Sequence, residues 1–471
     1  MKYFCLKCGY ATENQKWPQV VTVSTVWLLG FSGGIHFGWP SPSIPKLLSN
    51  DFPVKVTPED ASFITTSALL SQIIGNVASS ILIDTAGRKI ALLSSAPLFL
   101  VSLLLIHFSS KSIAFLYAAR IIGGIGEGLM TIMSTVYISE ISEPRIRGVL
   151  VTFLKAFFCS GVLFINVVGF YFSIETASLM SMPSSILFLS LFVFAPESPY
   201  FLLMTKQTER AYSSLKKLRW TDNVHEELVL LQAHVDRQLC ANARLKDLVL
   251  IKSNRRALVI LLVTTSAEIF SGVPTLTIYA QPFFSQAVPN IPQQWTAVFT
   301  QLLRLVSIFA GAAIVDTLGR KILLLVATGG CCLTATSLSG FFFLKDHSSL
   351  DLDQFNWLPL VDIVVMEITF MLGFGVAGFC LMGELFSTSI KAKAVCVISV
   401  MGAVLIFVNT ALFQFLSGSY GLGVPLAIFA AADVLAFVFC WRRLPETKRK
   451  SLEEIRQKLG RKRVRKTEDV S

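Results

Sequence analysis

The chain has 471 residues, of which 53% are hydrophobic and only 15% charged, with 37 phenylalanines. Soluble domains carry about 25% charge, so an ordinary water-soluble fold is excluded. The formal net charge of +11 sits in short basic clusters between apolar runs. That pattern suits the anionic face of a bilayer better than nucleic acid, although the tail Arg461-Lys-Arg-Val-Arg-Lys466 taken alone would fit either polyanion.

Apolar runs of about 20 residues are long enough to cross a bilayer as helices. They predict spans near 20–40, 61–83, 90–108, 113–138, 149–172 and 174–195, then 256–286, 294–315, 322–344, 360–386, 393–417 and 422–441. The fifth and sixth almost fuse at Ser173-Ile174-Glu175. The first run, beginning at Val20, is too long for the core of a cleavable signal. The expected organisation is a cytosolic segment 1–19, a six-helix bundle 20–196, a cytosolic linker 197–255, a second bundle 256–444 and a basic cytosolic tail 445–471. In the linker, Leu215, Leu218, Leu228, Leu231, Val235 and Leu239 recur at helical spacing among charges, which predicts short amphipathic helices. In the tail, Ser451 with Glu454 three residues on reads as the start of another short helix.

Three phrases occur twice, in the same order, roughly half a chain apart. Asp84-Thr-Ala-Gly-Arg-Lys89 matches Asp316-Thr-Leu-Gly-Arg-Lys321. Glu140, ahead of Arg145 and Arg147, matches Glu384, ahead of Lys391 and Lys393, and Pro196-Glu197-Ser198 matches Pro445-Glu446-Thr447. Ordered repeats of this kind mark a duplicated bundle with parallel halves. The short loops put Arg88, Lys89, Arg145, Arg147, Arg320, Lys321, Lys391 and Lys393 on one side, against Lys46, Lys55, Lys111 and Lys345 on the other. By the positive-inside rule both termini are expected in the cytosol. In each Asp-x-x-Gly-Arg-Lys loop the glycine permits a tight turn. Asp84 can pair with a neighbouring cation, Glu140 with Arg147, and Glu384 with Lys391 or Lys393, giving a charge network that forms in one conformation and breaks in the other. The alternative for each charge is a simple loop anchor.

Among the charges inside predicted spans, Glu127, Lys155, Glu268 and Arg304 are the unusual ones. Intramembrane charges are costly and point to function. They either pair internally, for example Glu268 with Arg304 or Glu127 with Lys155, or touch the substrate. His36 reads as a packed histidine rather than a proton carrier, and the first span has no acid. Cys5 and Cys8 form a lone C-x-x-C without the further ligands a zinc site needs. No metal or other cofactor is expected, and no nucleotide loop or nucleophile triad suggests an enzyme.

These residues together resemble the sugar porter family of the major facilitator superfamily over about residues 20–456. The likeness comprises both Asp-x-x-Gly-Arg-Lys loops, Arg120 with Gly123, Gly124 and Gly128, Val136-Tyr137-Ile138-Ser139-Glu140, Arg147-Gly148, Pro196-Glu197-Ser198-Pro199, Gly383-Glu384-Leu385-Phe386 and Pro445-Glu446-Thr447. Around the fourth and fifth spans it is most similar to insect trehalose and hexose facilitators. The resemblance implies an all-α integral membrane fold with twelve transmembrane helices in two six-helix pseudo-repeats, a monomer with a central cavity, and alternating access for a small-molecule sugar. A plasma-membrane location follows from the same likeness. It implies gating or structural roles for Asp84, Arg88, Arg120, Glu140, Arg147, Asp316, Arg320 and Glu384.

The cavity departs from the family. Lys155 stands where the family has a sugar-binding glutamine. Glu268-Ile269-Phe270-Ser271-Gly272-Val273-Pro274 replaces the family's Gln-Gln-x-x-Gly-x-Asn. Phe379 and Gly402 stand at two further cavity positions, and Tyr279 matches an aromatic of the seventh helix. The expected substrate-binding set is therefore Lys155, Glu268, Pro274, Tyr279, Arg304, Phe379 and Gly402. Each lost amide removes hydrogen bonds worth about 0.5–1.5 kcal/mol. The leading expectation is facilitated diffusion of trehalose or a hexose. An anionic or other non-sugar cargo, motivated by Lys155 and Arg304, and a non-transporting sensor are the alternatives.

Overall fold

The computed structural model describes residues 17–241, 246–288, 292–347, 353–355, 357–378, 381, 385–386, 388–446 and 448. Within them, twelve helices are long and apolar enough to cross a membrane. Spans 1–6 are Trp17–Leu47, Pro58–Thr85, Arg88–His107, Ile113–Ile141, Ile146–Tyr171 and Ile174–Phe192. Spans 7–12 are Lys252–Ile278, Trp295–Val315, Arg320–His347, Leu358–Gly378, Lys393–Tyr420 and Gly423–Arg443. The predicted tail helix from Ser451, and Cys5 with Cys8, lie outside the described residues.

Helix starts follow local chemistry that hydropathy alone does not register. Span 2 begins at Pro58 because Thr57 and Asp60 form a reciprocal capping box, with Asp60 N–H donating to Thr57 Oγ1 at 3.2 Å and Thr57 N–H to Asp60 Oδ2 at 3.0 Å. The helix therefore starts one turn before its apolar run. The soft boundary between the fifth and sixth spans falls at Ser173, whose hydroxyl accepts from Thr176 N–H at 3.3 Å and so starts span 6. Span 7 departs from its expected shape. Gly272, at φ +83°, ends its first piece at Phe270, and a second piece, Val273–Ile278, carries on to a third, Ala280–Ala287. Span 10 loosens after Phe370 into wide turns over Met371–Gly378, where three of eight residues are glycine.

The outer surface is apolar and the inside is partly polar, the reverse of a soluble protein. On span 2 the exposed residues Phe63, Leu70, Ile74, Val77 and Ile81 form a stripe along one face. Such a stripe is stable only against hydrocarbon. The opposite face carries buried Thr65, Asn76 and Ser79 and packs closely on span 4. Gly124 and Gly128 face the backbone of Ala68 and Gln72 there, so a β-carbon at either site would collide. Spans 1 and 5 make a matching contact through Gly34 and Gly161. The two halves meet where span 2 crosses span 11 and span 5 crosses span 8. Asn76 Nδ2 donates to Ser399 O at 3.2 Å across the first of these seams.

Between the halves, Thr208–Arg219 and His225–Ala241 form helices, and Leu202, Leu203, Ala211, Leu215, Val224, Leu228 and Val235 make a small core of their own. Arg219 docks this unit onto the first bundle. It donates to Ile141 O at 3.1 Å and pairs with Glu227 at 2.7 Å.

Candidate functional site

Two sets of charges stand out: a duplicated clamp at the end of the bundle bearing the Asp-x-x-Gly-Arg-Lys loops, and paired charges inside.

In the clamp, Gly87 and Gly319 both sit at φ +92°, a conformation side chains resist, and each starts the next helix. The first N–H groups of a helix have no partner within it, and they carry the positive end of its dipole. Glu197 supplies the partner in the first half, accepting from Arg88 N–H and Lys89 N–H at 3.1 Å. Glu446 does the same in the second, accepting from Arg320 N–H and Lys321 N–H at 3.1 Å. Burial pushes the Glu197 carboxyl above the ordinary carboxylate range, while its hydrogen bonds to the Ser198, Lys89 and Arg88 N–H groups act the other way. The lysines close the neighbouring helix ends. Lys89 Nζ donates to Val193 O at 2.6 Å, and Lys321 Nζ to Trp441 O at 2.8 Å. Arg88 and Arg320 each reach back to the carbonyl five residues earlier, Ile83 O at 2.8 Å and Val315 O at 3.3 Å.

The partners inside this clamp differ from those expected. Glu140 pairs with Arg88, not Arg147, through Nε–Oε2 at 2.9 Å and Nη2–Oε1 at 2.8 Å, and it also accepts from the Ser198 hydroxyl. Arg147 donates instead to Ser142 O at 3.2 Å. Asp84 is exposed and, among the described residues, makes no ion pair or hydrogen bond. Arg120 is at the far end of the bundle, held by His36 O at 2.9 Å and stacked 5.2 Å over Trp39. It is no part of the clamp. Glu384 and the side chains of Asp316 and Lys391 lie outside the described residues.

Inside, the structure re-pairs the charges. Lys155 Nζ of span 5 is 3.9 Å from Glu268 Oε1 of span 7, so this pair joins the two halves. The side chains are 21% and 32% exposed although both lie within transmembrane helices. The distance is too long for a direct hydrogen bond, yet two unit charges this close attract by about 4 kcal/mol at an effective dielectric of 20. Arg304 does not reach Glu268. It is locked to Glu367 of span 10 by a two-pronged contact, Nε–Oε2 at 2.9 Å and Nη2–Oε1 at 2.5 Å, and both side chains are buried. Glu127 is buried on span 4, and among the described residues no ion pair joins it to Lys155. Cys159, buried on span 5, lies within electrostatic reach of Lys155, Arg304 and Glu367.

Of the other expected binding residues, Gly402 is beside Glu268's helix, where an added β-carbon would be 3.5 Å from Thr265 Cγ2. Pro274 opens the second piece of span 7. Tyr279 is buried, its hydroxyl donating to Gln414 Oε1 at 2.5 Å and its ring stacked 5.8 Å from Phe413. Phe379 lies outside the described residues. Sequence reasoning missed Asn409, whose Nδ2 binds Ile269 O at 3.1 Å and Thr275 Oγ1 at 2.9 Å and so ties both sides of the span 7 break to span 11. It also missed Glu367, although an acid inside an apolar run, directly after Ile363-Val364-Val365-Met366, was a visible partner for Arg304.

The chain is similar to known transporters along nearly all its length. It is 30% identical over 448 residues to the facilitated trehalose transporter Tret1-1 of Drosophila simulans, covering 94% of this chain and 52% of that one. It thus spans about half the length of that curated relative. A facilitated trehalose transporter Tret1 of Bombyx mori is 26% identical over 468 residues, 97% of this chain and 90% of its own. Among solved structures, the major facilitator superfamily proton:xylose symporter XylE superposes with a TM-score of 0.76 at 22% identity, covering 93% of this chain and 99% of that one. That likeness shows a major facilitator fold: twelve transmembrane helices in two six-helix pseudo-repeats. The family model described as sugar (and other) transporter matches residues 18–459, and the chain belongs to that family.

Proposed function

We propose that the protein carries a neutral sugar, trehalose or a hexose, across the cell membrane by facilitated diffusion, exposing one central site to each side in turn. The observation that carries this reading is the Lys155–Glu268 pair, which joins the two halves in the membrane interior with both head groups partly open. Lys155, Glu268 and Gly402 form the contact surface, with Pro274 and Tyr279 shaping it and Phe379 as a further member. Arg304 acts from behind, through Glu367, rather than on the cargo. An anionic cargo is disfavoured because each of the two cations that would attract it already faces a carboxylate.

Arg88, Glu140, Arg147, Arg320 and Glu384, with Asp84 and Asp316 at the loop entrances, serve the moving end, and Arg120 serves the opposite end. The protein is a multi-pass membrane protein whose basic loops and both termini face the cytosol, and it works as a monomer. The deciding measurement is uptake by proteoliposomes over a panel of labelled sugars, polyols and small organic acids. Saturable sugar uptake indifferent to an imposed pH gradient is expected. Absence of uptake across the sugars, or uptake confined to organic acids, would overturn the proposal.

A further inference from the structure

Span 8 has two faces. Trp295, Phe299, Leu302, Val306 and Phe309 are exposed and, at helical spacing, form a lipid side. Ala297, Thr300, Gln301, Arg304 and Ile308 are buried on the other. Arg304 fixes where that buried side points. It bonds Glu367 of span 10 and lies within electrostatic reach of Cys159 of span 5, across the seam between the halves. Gln301 stands one turn from Arg304 on the same side, farther from the clamp, and is only 1% exposed. Its neighbours on that side are satisfied: Thr300 donates to Ala297 O at 3.0 Å, and Glu367 takes Arg304. Gln301 Oε1, by contrast, has no hydrogen-bond partner among the described residues. A buried polar atom without a partner destabilises a fold, whereas an apolar side chain of the same shape does not. A carboxamide both donates and accepts, while Lys155 only donates and the Glu268 carboxylate only accepts.

We propose that Gln301 is a further substrate-contact residue: when the seam between spans 5 and 8 parts, its carboxamide hydrogen-bonds one hydroxyl of the sugar. The inference rests on the sugar-transport reading. Rocking of the two halves must open and close this seam, so the amide is sealed in one arrangement and meets the cargo in another. Gln301→Met keeps the side chain's length and removes the amide. Stability and binding should therefore move in opposite directions in that variant.

The experiment measures uptake of labelled glucose and trehalose by proteoliposomes bearing wild type, Gln301→Met and Gln301→Asn, with singly deoxygenated analogues of each sugar as competitors. The Tm of each purified protein, with and without sugar, gives a second readout that needs no flux. Gln301→Met should melt at or above wild type without sugar and lose most of the sugar-dependent rise in Tm. Its KM should rise about fivefold, the scale of one hydrogen bond, with kcat little changed. In wild type one deoxy analogue should compete about fivefold more weakly than its parent sugar, and in Gln301→Met that analogue should compete as well as the parent. Gln301→Asn, which keeps the amide but shortens its reach, should fall between. Wild-type KM and wild-type discrimination among the analogues in Gln301→Met would overturn the proposal. So would a sugar-free Tm several degrees below wild type in that variant, which would mean that the amide has a partner inside the fold. A loss of rate shared equally by every sugar at unchanged KM would overturn it as well, by marking a gating role. If wild type neither carries nor binds glucose or trehalose, the sugar reading falls and this inference with it. If wild type carries sugar and Gln301→Met matches it throughout, this inference falls alone.

Discussion

Gly87 and Gly319 hold the same backbone shape, φ +92°, at equivalent points of the two halves. A β-carbon on Gly87 would be 2.5 Å from Glu197 Oε2, and one on Gly319 would be 2.7 Å from Glu446 Oε2. Strain of that kind costs about 1–3 kcal/mol, and here the added atom also pushes on the carboxylate that caps the next helix. Gly87→Ala and Gly319→Ala should each lower Tm by several degrees in detergent; two variants that melt with wild type would remove the capping argument. Glu140 and Arg147 part company at this scale. Glu140→Gln breaks the pair with Arg88 and should slow sugar uptake several-fold at unchanged surface expression. Arg147→Ala removes only a bond to Ser142 O and should matter less. Equal rates for the two variants would contradict this geometry.

Some helices in this chain are bounded by side chains that come from far away. Glu197 caps span 3 from beyond the end of span 6, and Lys89 returns the favour by closing span 6 at Val193. Because burial raises the folded-state pKa of Glu197, the folded protein holds that proton more tightly than the unfolded chain. This contribution is complete below the unfolded value and fades as pH rises through the folded one. The Tm difference between wild type and Glu197→Gln should therefore move in the variant's favour as pH rises from the ordinary glutamate range toward neutrality. A pH-independent difference would show that the carboxyl titrates normally. The duplicated Pro-Glu phrase was plain in the sequence, but its task was not, since nothing local says that a glutamate will reach a helix start 109 residues earlier. The break in span 7 was hidden for a related reason. Val273-Pro274-Thr275 reads as part of one apolar run, whereas Gly272 at φ +83° and Asn409, reaching across from span 11, mark two helix ends there.

At the scale of the molecule, twelve spans and their pairing into halves were legible, because hydrocarbon imposes a length and an apolar pattern that a sequence must display. Ordered repeats then gave the symmetry. The interior charges were legible as residues but not as partners. Choosing among Glu127, Glu268 and Glu367 for Lys155 and Arg304 depends on how spans 5, 7, 8 and 10 rotate against one another, and single-span periodicity carries no such information. Lys155 therefore found Glu268, and Arg304 found Glu367.

Each half also fastens its last helix to its third with its own residues: Lys89 to Val193 and Glu197 to Arg88 in one, Lys321 to Trp441 and Glu446 to Arg320 in the other. Each of these four contacts lies within one half. A gene cut within the connecting stretch, after Arg219 and the docking contacts it makes, should accordingly yield two polypeptides that each reach the membrane and reassemble when co-produced. Recovery of uptake from the mixed fragments, and its absence from either one alone, would display that independence.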